Sequence, residues 1–173
     1  MERFILGVVY ENCTGCHLCE LACSYRHEGV FRPFVSRITV FTNPDDHEAL
    51  PVYCLQCRNA FCAAACPTNA IVRDEKGAYV VESLRCIGCR ECAYACPFGA
   101  IGFEEGVFPV KCDLCGGDPE CVKVCPHDAL IYGPEDVVMR RVRLEKATIE
   151  AGPGRREEAE KAVDFLMGII RKP

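Results

Sequence analysis

The sequence predicts an α+β fold: two interlocked modules of short β-hairpins, cysteine loops and short helices, followed by a C-terminal helical tail. Three observations predict it. The 173 residues hold 16 cysteines, arranged as four groups of four. Short strand-like runs bounded by turn residues flank those groups. Residues 134–173 hold no cysteine and carry apolar residues at helical spacing instead. Half the chain counts as hydrophobic, but the 16 cysteines are part of that half. Without them the apolar supply is modest, aromatics are few and tryptophan is absent. The interior is therefore expected to form partly around something bound.

The elements follow in order. Residues 3–10, RFILGVVY, read as a strand ahead of group I, which is Cys13, Cys16, Cys19 and Cys23. HLCELA, from His17, reads as a short helix inside that group. SRITVFT, 36–42, is a second strand, and the turn-rich NPDDHEALP, 43–51, reads as a loop. Group II is Cys54, Cys57, Cys62 and Cys66; after it AIV and AYVV flank RDEKG as a hairpin. Group III is Cys86, Cys89, Cys92 and Cys96, with a short helix at RECAYA. After it AIGF and VFPV flank EEG as a second hairpin, with Pro109 marking an edge strand. Group IV is Cys112, Cys115, Cys121 and Cys125.

The tail, 134–173, is expected to be helical from about 135 to 150 and to break at Gly152-Pro153-Gly154. An amphipathic helix over RREEAEKAVDFLMGIIRK is expected to follow. Ala159, Ala162, Val163, Leu166, Ile169 and Ile170 share one face, and Arg171 and Lys172 sit at its end, matching the helix dipole. This divides the chain into a cysteine-bearing domain, 1–133, and a C-terminal extension, 134–173. Within the first, groups II and III, about 51–104, form an inner module and groups I and IV an outer one.

Every group opens C-x2-C and closes C-x3-C; only the middle gap varies, two residues in I and III, four in II and five in IV. Groups II, III and IV end alike, as CPTNAIVR, CPFGAIGF and CPHDALIY. Group I departs, with Ser24 in place of the proline. A C-x2-C-x2-C loop places three thiolates on one wrapped turn, which suits one face of a cubane. Structural zinc takes two ligands from one loop and two from a distant one. Disulfides suit an oxidising compartment, and a radical-generating enzyme would want C-x3-C-x2-C, which no group supplies. The run C-x2-C-x2-C-x3-C-P is the bacterial ferredoxin signature; group III fits it in full and group I except for the proline. Sixteen cysteines divide into four [4Fe–4S] clusters with none left over.

In such ferredoxins the cysteine before the proline ligates the other cluster, because the x3 helical turn carries it away from the first three. Adjacent groups II and III are expected to exchange, and I and IV by the same logic. That assigns Cys13, Cys16, Cys19 and Cys125 to site A, and Cys112, Cys115, Cys121 and Cys23 to site B. Site C takes Cys54, Cys57, Cys62 and Cys96, and site D takes Cys86, Cys89, Cys92 and Cys66. The modules are thus bacterial-type dicluster ferredoxin units, with the I/IV pair at one end of a line and the II/III pair at the other. Gly15, Gly88 and Gly116 lie inside ligand loops, where amide N–H groups approach sulfur. His17 and His127 are the histidines placed to donate to a cluster sulfur, against a default solvent-facing role. Lys111 and Arg85 precede the first ligands of their groups, with exposure their default.

Residues 3–132, in group order and spacing, resemble the four-cluster ferredoxin-like electron-transfer subunits paired with molybdopterin enzymes, carbon monoxide dehydrogenase and some hydrogenases. The crossed ligation is also a property of that family. CTGCHLCELACSYRHEGVFRPFVSRI and KCDLCGGDPECVKVCPHDAL look most similar to small subunits accompanying tungsten aldehyde oxidoreductases. The resemblance implies a non-catalytic subunit that relays single electrons between a large tungsto- or molybdopterin oxidoreductase subunit and a ferredoxin or further electron-transfer subunit. The rivals are a free-standing polyferredoxin and an iron–sulfur partner of carbon monoxide dehydrogenase or hydrogenase; a non-redox metal store is weaker. No phosphate-binding loop, flavin motif or nucleophile with a base appears, so no catalytic residue is assigned.

The net charge is −5. Residues 1–133 carry 17 acids against 11 Lys and Arg, a net −6, and 134–173 carry 8 against 9, a net +1. A basic nucleic-acid surface is not indicated. No export signal is evident and no window reaches the roughly 18 apolar residues that span a bilayer. A cytoplasmic chain with reduced thiols is expected.

Overall fold

In a computed structural model, residues 3–43, 48–103, 106 and 108–150 are described, together with 161, 165 and 168. Among the described residues the chain folds as three two-stranded antiparallel sheets with cysteine loops between them. Strand β1 (Phe4–Val8) pairs with β6 (Leu130–Pro134), bringing Val8 opposite Leu130. The run before group I therefore meets the run after group IV. Strand β2 (Ile38–Thr42) pairs with β3 (Ala49–Tyr53), and β4 (Ile71–Arg73) with β5 (Tyr79–Val81).

Each group contributes one helix. Helices α2 (Phe61–Ala64), α3 (Glu91–Tyr94) and α4 (Glu120–Lys123) are single turns. Each stops two residues before a Cys-Pro pair, since proline has no N–H and clashes with the preceding turn. Group I has Ser24 where the others have proline, and its helix α1 continues from Leu18 to Glu28, closed by Gly29 in the left-handed region. The short helix expected from His17 is thus three turns long. Ser24 is fully buried; its hydroxyl donates to the Leu21 carbonyl (3.0 Å) and accepts from the Arg32 N–H (3.1 Å). That ties the 29–36 connection back onto the helix. Helix α1 packs on α4, and α2 packs on α3.

Three expectations need correction or restriction. The loop over 43–51 is a strand at its far end: Ala49–Pro51 belong to β3. Pro51 is tolerated because a two-stranded sheet leaves each strand an outward edge that needs no N–H. The second hairpin appears, among the described residues, as one antiparallel bridge between Gly102 and Val110. The amphipathic helix over 155–172 lies almost wholly outside the described residues; within it Lys161, Phe165 and Gly168 are helical.

Helix α5 (Glu135–Glu150) follows β6 directly and packs on β1 and β6. Val138 is fully buried against Ile5 and Ile131. The main core joins Leu6, Val8, Ile38, Val40, Tyr53 and Leu130 to four cysteines, Cys19, Cys23, Cys112 and Cys121. A second small core, Ile71, Cys92 and Ile101, lies in the II/III module. Cysteines thus occupy places that leucine or valine fill elsewhere. Among the described residues no helix is long and apolar enough to cross a membrane.

Candidate metal centres

The four cysteine loops share one backbone device. The second residue between the first two cysteines is left-handed in every group: Gly15 (φ 67°), Gln56 (50°), Gly88 (70°) and Leu114 (58°). The residue after the second cysteine repeats this in His17, Arg90 and Gly116. Left-handed turns curl the loop so that successive N–H groups point inward. Gly15, Gly88 and Gly116 adopt them without cost; Gln56 and Leu114 each carry about 1–2 kcal/mol of strain. The three Cys-Pro endings share a second device. Asn69, Gly99 and Asp128 are left-handed three residues after the closing cysteine, and Asn, Gly and Asp are the residues that tolerate it. The turn aims backbone N–H groups at the closing sulfur, as where the Ala70 N–H lies 3.2 Å from Cys66 Sγ.

These loops bring the thiols together in quartets. One cavity is lined by Cys13, Cys16, Cys19 and Cys125, with His17 and His127 also at its wall. A second is lined by Cys54, Cys57, Cys62 and Cys96. A third is lined by Cys66, Cys86, Cys89 and Cys92. They are alike in size. The remaining cysteines, Cys23, Cys112, Cys115 and Cys121, face one another closely enough for Cys23 to raise the pKa of each of the other three. In all four quartets the closing cysteine comes from a different group than the other three.

The quartets are also electrostatic neighbours in sequence. Cys19 of the first bears on Cys121, Cys54 of the second bears on Cys112, and Cys62 bears on Cys92. Their spatial order is therefore A, B, C, D. Only Cys16 and Cys89 are exposed, one in each end quartet.

The electrostatics suit a bound polynuclear cation. Burial pushes the Cys19 and Cys112 thiols up to about 12 and Cys92 to about 11, and raises Cys121 strongly. Neighbouring thiolates add to this at Cys13, Cys57 and Cys62. Four thiols converging in a buried quartet thus oppose one another's ionisation, which iron would reverse. Amide N–H groups already oppose the shift: Gly15 at Cys13, Ala63 at Cys62, Ala93 at Cys92 and Leu114 at Cys112. At Cys66 burial pulls upward, yet the Ala70 N–H and Thr68 outweigh it and the pKa falls. The Arg37 N–H lies 3.3 Å from Cys23 Sγ. All sixteen thiols are free despite their convergence. Soft thiolates with inward N–H donors fit iron–sulfur clusters.

Some neighbours differ from expectation. Lys111, expected to be exposed, is buried; its Nζ donates to the Tyr79 carbonyl and to the Cys112 carbonyl (3.1 Å). Arg85 is exposed and pairs with Glu82 at 2.9 Å. The His17 Nδ1 meets the buried Glu20 at 2.7 Å, and the other Glu20 oxygen accepts from the Val40 N–H at 2.6 Å. Among the described residues, a histidine that meets a sulfur outside these cavities is His27, to which the sequence reading gave no role. Its Nε2 lies 3.6 Å from Cys115 Sγ and 3.5 Å from the Asp113 carboxylate. Burial lowers the His27 pKa, Arg37 adds to that, and Asp113 opposes it. The signal for this contact was Ser24, whose lack of a proline ring lets α1 run on to His27.

Gln56 was also missed. It is only 2% exposed; its Oε1 accepts from the Tyr79 N–H (2.7 Å) and its Nε2 donates to the Cys112 carbonyl (2.8 Å). One side chain therefore joins the group II loop, the inner hairpin and the first cysteine of group IV.

The family described as 4Fe-4S dicluster domain matches residues 46–135, and a 4Fe-4S binding domain matches residues 10–26. The chain is 45% identical over 97 residues to the aliphatic sulfonate oxidoreductase polyferredoxin-like subunit of Pyrococcus furiosus, covering 56% of each. It is 41% identical over 104 residues to formate hydrogenlyase subunit 2 of Escherichia coli, covering 60% of this chain and 49% of that one. It is 39% identical over 108 residues to the electron transport protein HydN of Escherichia coli, covering 58% and 59%. The chain spans about half the length of the curated relatives it matches.

Proposed function

Because the chain belongs to the 4Fe-4S dicluster domain family, we propose that it relays single electrons through four [4Fe–4S] sites as the non-catalytic subunit of an oxidoreductase complex. The observation that carries this reading is the set of cavities each lined by four cysteines drawn from two groups. In this reading Cys13, Cys16, Cys19 and Cys125 hold site A, and Cys112, Cys115, Cys121 and Cys23 hold site B. Cys54, Cys57, Cys62 and Cys96 hold site C, and Cys86, Cys89, Cys92 and Cys66 hold site D. Clusters so held supply one-electron transfer without making or breaking substrate bonds. The chain's own residues aim N–H groups at the sulfurs and fix the spacing. Exposure of Cys16 and Cys89 alone supports entry at one end quartet and exit at the other. No residue of this chain is assigned a catalytic role.

The relatives named as subunits support membership in a complex. For the catalytic partner we favour a tungsten- or molybdenum-pterin subunit, on the resemblance of residues 13–38 and 111–130, with a ferredoxin or further electron-transfer subunit at the other end. Reduced thiols suit a cytoplasmic setting. Iron and acid-labile sulfide analysis of anaerobically purified protein tests the cofactor: about sixteen irons per chain are expected at four per cubane. Stoichiometric zinc, or about half that iron, overturns the four-site reading. Co-purification with a large pterin-containing subunit is expected; isolation as a competent free carrier points to a polyferredoxin instead.

A further inference from the structure

Site C differs from the other three in the fixed charge around it. Lys111 is 3% exposed, and its ammonium is lodged between the Tyr79 and Cys112 carbonyls. Tyr79 itself lines the cavity of Cys54, Cys57, Cys62 and Cys96. Burying an ammonium is costly unless an opposite charge compensates. Among the described residues no carboxylate lies within ion-pair distance of Lys111, and two carbonyl oxygens offer only partial charge. The compensating charge available is that of the thiolates of the quartet whose cavity Tyr79 lines. A second cation stands on the same quartet. The Arg3 guanidinium donates to the carbonyls of Leu55 and Gln56, the two residues between Cys54 and Cys57. Its charge is partly offset by Glu135 at 3.1 Å.

Lys111 also reaches the Cys112 carbonyl of site B, but the other quartets have a carboxylate beside the sulfurs or an exposed cation only. At site A the neighbour of Cys19 is a buried carboxylate, Glu20. At site B the Asp113 carboxylate, 2.7 Å from Arg37, bears on both Cys112 and Cys115. At site D, Arg90 lines the cavity but is exposed, where water and salt screen it. A buried cation without a carboxylate partner favours added negative charge nearby, and burial keeps its field unscreened.

We propose that Lys111, assisted by Arg3, makes site C the most readily reduced of the four, so that a relayed electron rests inside the row. This rests on the four-site reading above. Site C is flanked by B through Cys54 and Cys112, and by D through Cys62 and Cys92. One electron arrives from a neighbouring site and leaves to the other, with no bond formed or broken. Lys111 and Arg3 are positioning residues: they touch the ligand loops and set the cost of the added charge.

The test is an EPR-monitored redox titration of the intact holoprotein, with dithionite as reductant, on the parent chain, Lys111→Met, Lys111→Arg and Arg3→Gln. In the parent, four one-electron waves are expected. In Lys111→Met the wave of highest potential is expected to fall at least tenfold in its reduction constant, about 59 mV for one electron. Arg3→Gln is expected to lower the same wave by less, because Glu135 already offsets part of that charge, and Lys111→Arg to leave it near its parent position. The same wave is expected to be the one altered by Cys57→Ser. The proposal is overturned if Lys111→Met moves no wave, moves one other than the highest, or moves all four alike. It is equally overturned if Lys111→Arg falls as far as Lys111→Met. If Lys111→Met does not assemble, Arg3→Gln decides by the same criteria. Fewer than four waves in a parent protein short of iron sinks the four-site reading itself, which is a separate outcome.

Discussion

Gln56→Ala removes the side chain that joins the group II loop to the inner hairpin and to group IV. Its cost follows from the contacts. The Tyr79 N–H loses its 2.7 Å acceptor in a buried place, a penalty of about 1–3 kcal/mol. The Cys112 carbonyl loses the 2.8 Å bond from Gln56 but keeps Lys111 at 3.1 Å, so its loss is small. Loss of the buried side-chain atoms leaves a void worth roughly another 1 kcal/mol. The left-handed backbone at φ 50° is as strained for alanine as for glutamine, so nothing is recovered there. The sum is about 2–4 kcal/mol. Gln56→Gly removes the same contacts but relieves about 1 kcal/mol or more of strain, so it is expected to be the milder change. Cluster loss is irreversible, so the measurement is a rate: bleaching of the iron–sulfur absorbance in fixed urea with an iron chelator. If those contacts are broken in the transition state for opening, 2 kcal/mol corresponds to about 30-fold faster bleaching. Gln56→Ala within twofold of the parent, or Gln56→Gly bleaching faster than Gln56→Ala, would refute the reasoning.

Three further outcomes follow. Cys96→Ser is expected to disturb the signal of the site held by Cys54, Cys57 and Cys62 before that of Cys86, Cys89 and Cys92; Mössbauer or EPR spectra showing selective damage to the latter break the crossed assignment. Ser24→Pro would give group I the ending of the other three groups, yet it is expected to destabilise by about 3 kcal/mol or more, because it interrupts α1 between Leu18 and Glu28. It also removes both bonds of the Ser24 hydroxyl. Far-UV circular dichroism unchanged from the parent, with unchanged bleaching rate, contradicts this. The hydrogen bond from Arg58 to Glu135 holds that carboxyl below its ordinary value, with Arg3 assisting. A depressed carboxyl contributes stability above its ordinary pKa and loses it as pH falls through the folded value. Glu135→Gln is therefore expected to bleach faster than the parent at pH 6 and to converge on it below pH about 4; a gap that is constant with pH argues against the pairing.

Local features were legible in the sequence and long-range ones were not. The cysteine groups, the inner hairpin and the helices at 17–22 and 90–95 depend on spacing, proline and turn residues within a few positions. The extension of α1 to Glu28 was written in Ser24, but its consequence was not, since His27 meets Cys115 only after α1 packs against α4. Strand β3 was hidden because Pro51 and the acidic turn before it read as a loop; pairing with β2 overrides that preference. Gln56 and Leu114 gave no warning of their left-handed backbones, because propensity argues against them. The group requires the same curl at each C-x2-C, and burial holds these two residues in it.

Lys111 shows where local reading stops. Beside a cysteine, a lysine has exposure as its default, because no partner is visible within several positions. Its partner carbonyl at Tyr79 lies 32 residues away and its second cation, Arg3, enters from the start of the chain. Three of a site's four cysteines thus lie in one loop of about ten residues, while the fourth, and the charge proposed to tune site C at Lys111 and Arg3, come from separate segments. Two chains with the same cysteine spacing can therefore hold the same clusters and order their potentials differently. The position equivalent to Lys111, rather than any cysteine, is where such a difference would be introduced without removing a ligand.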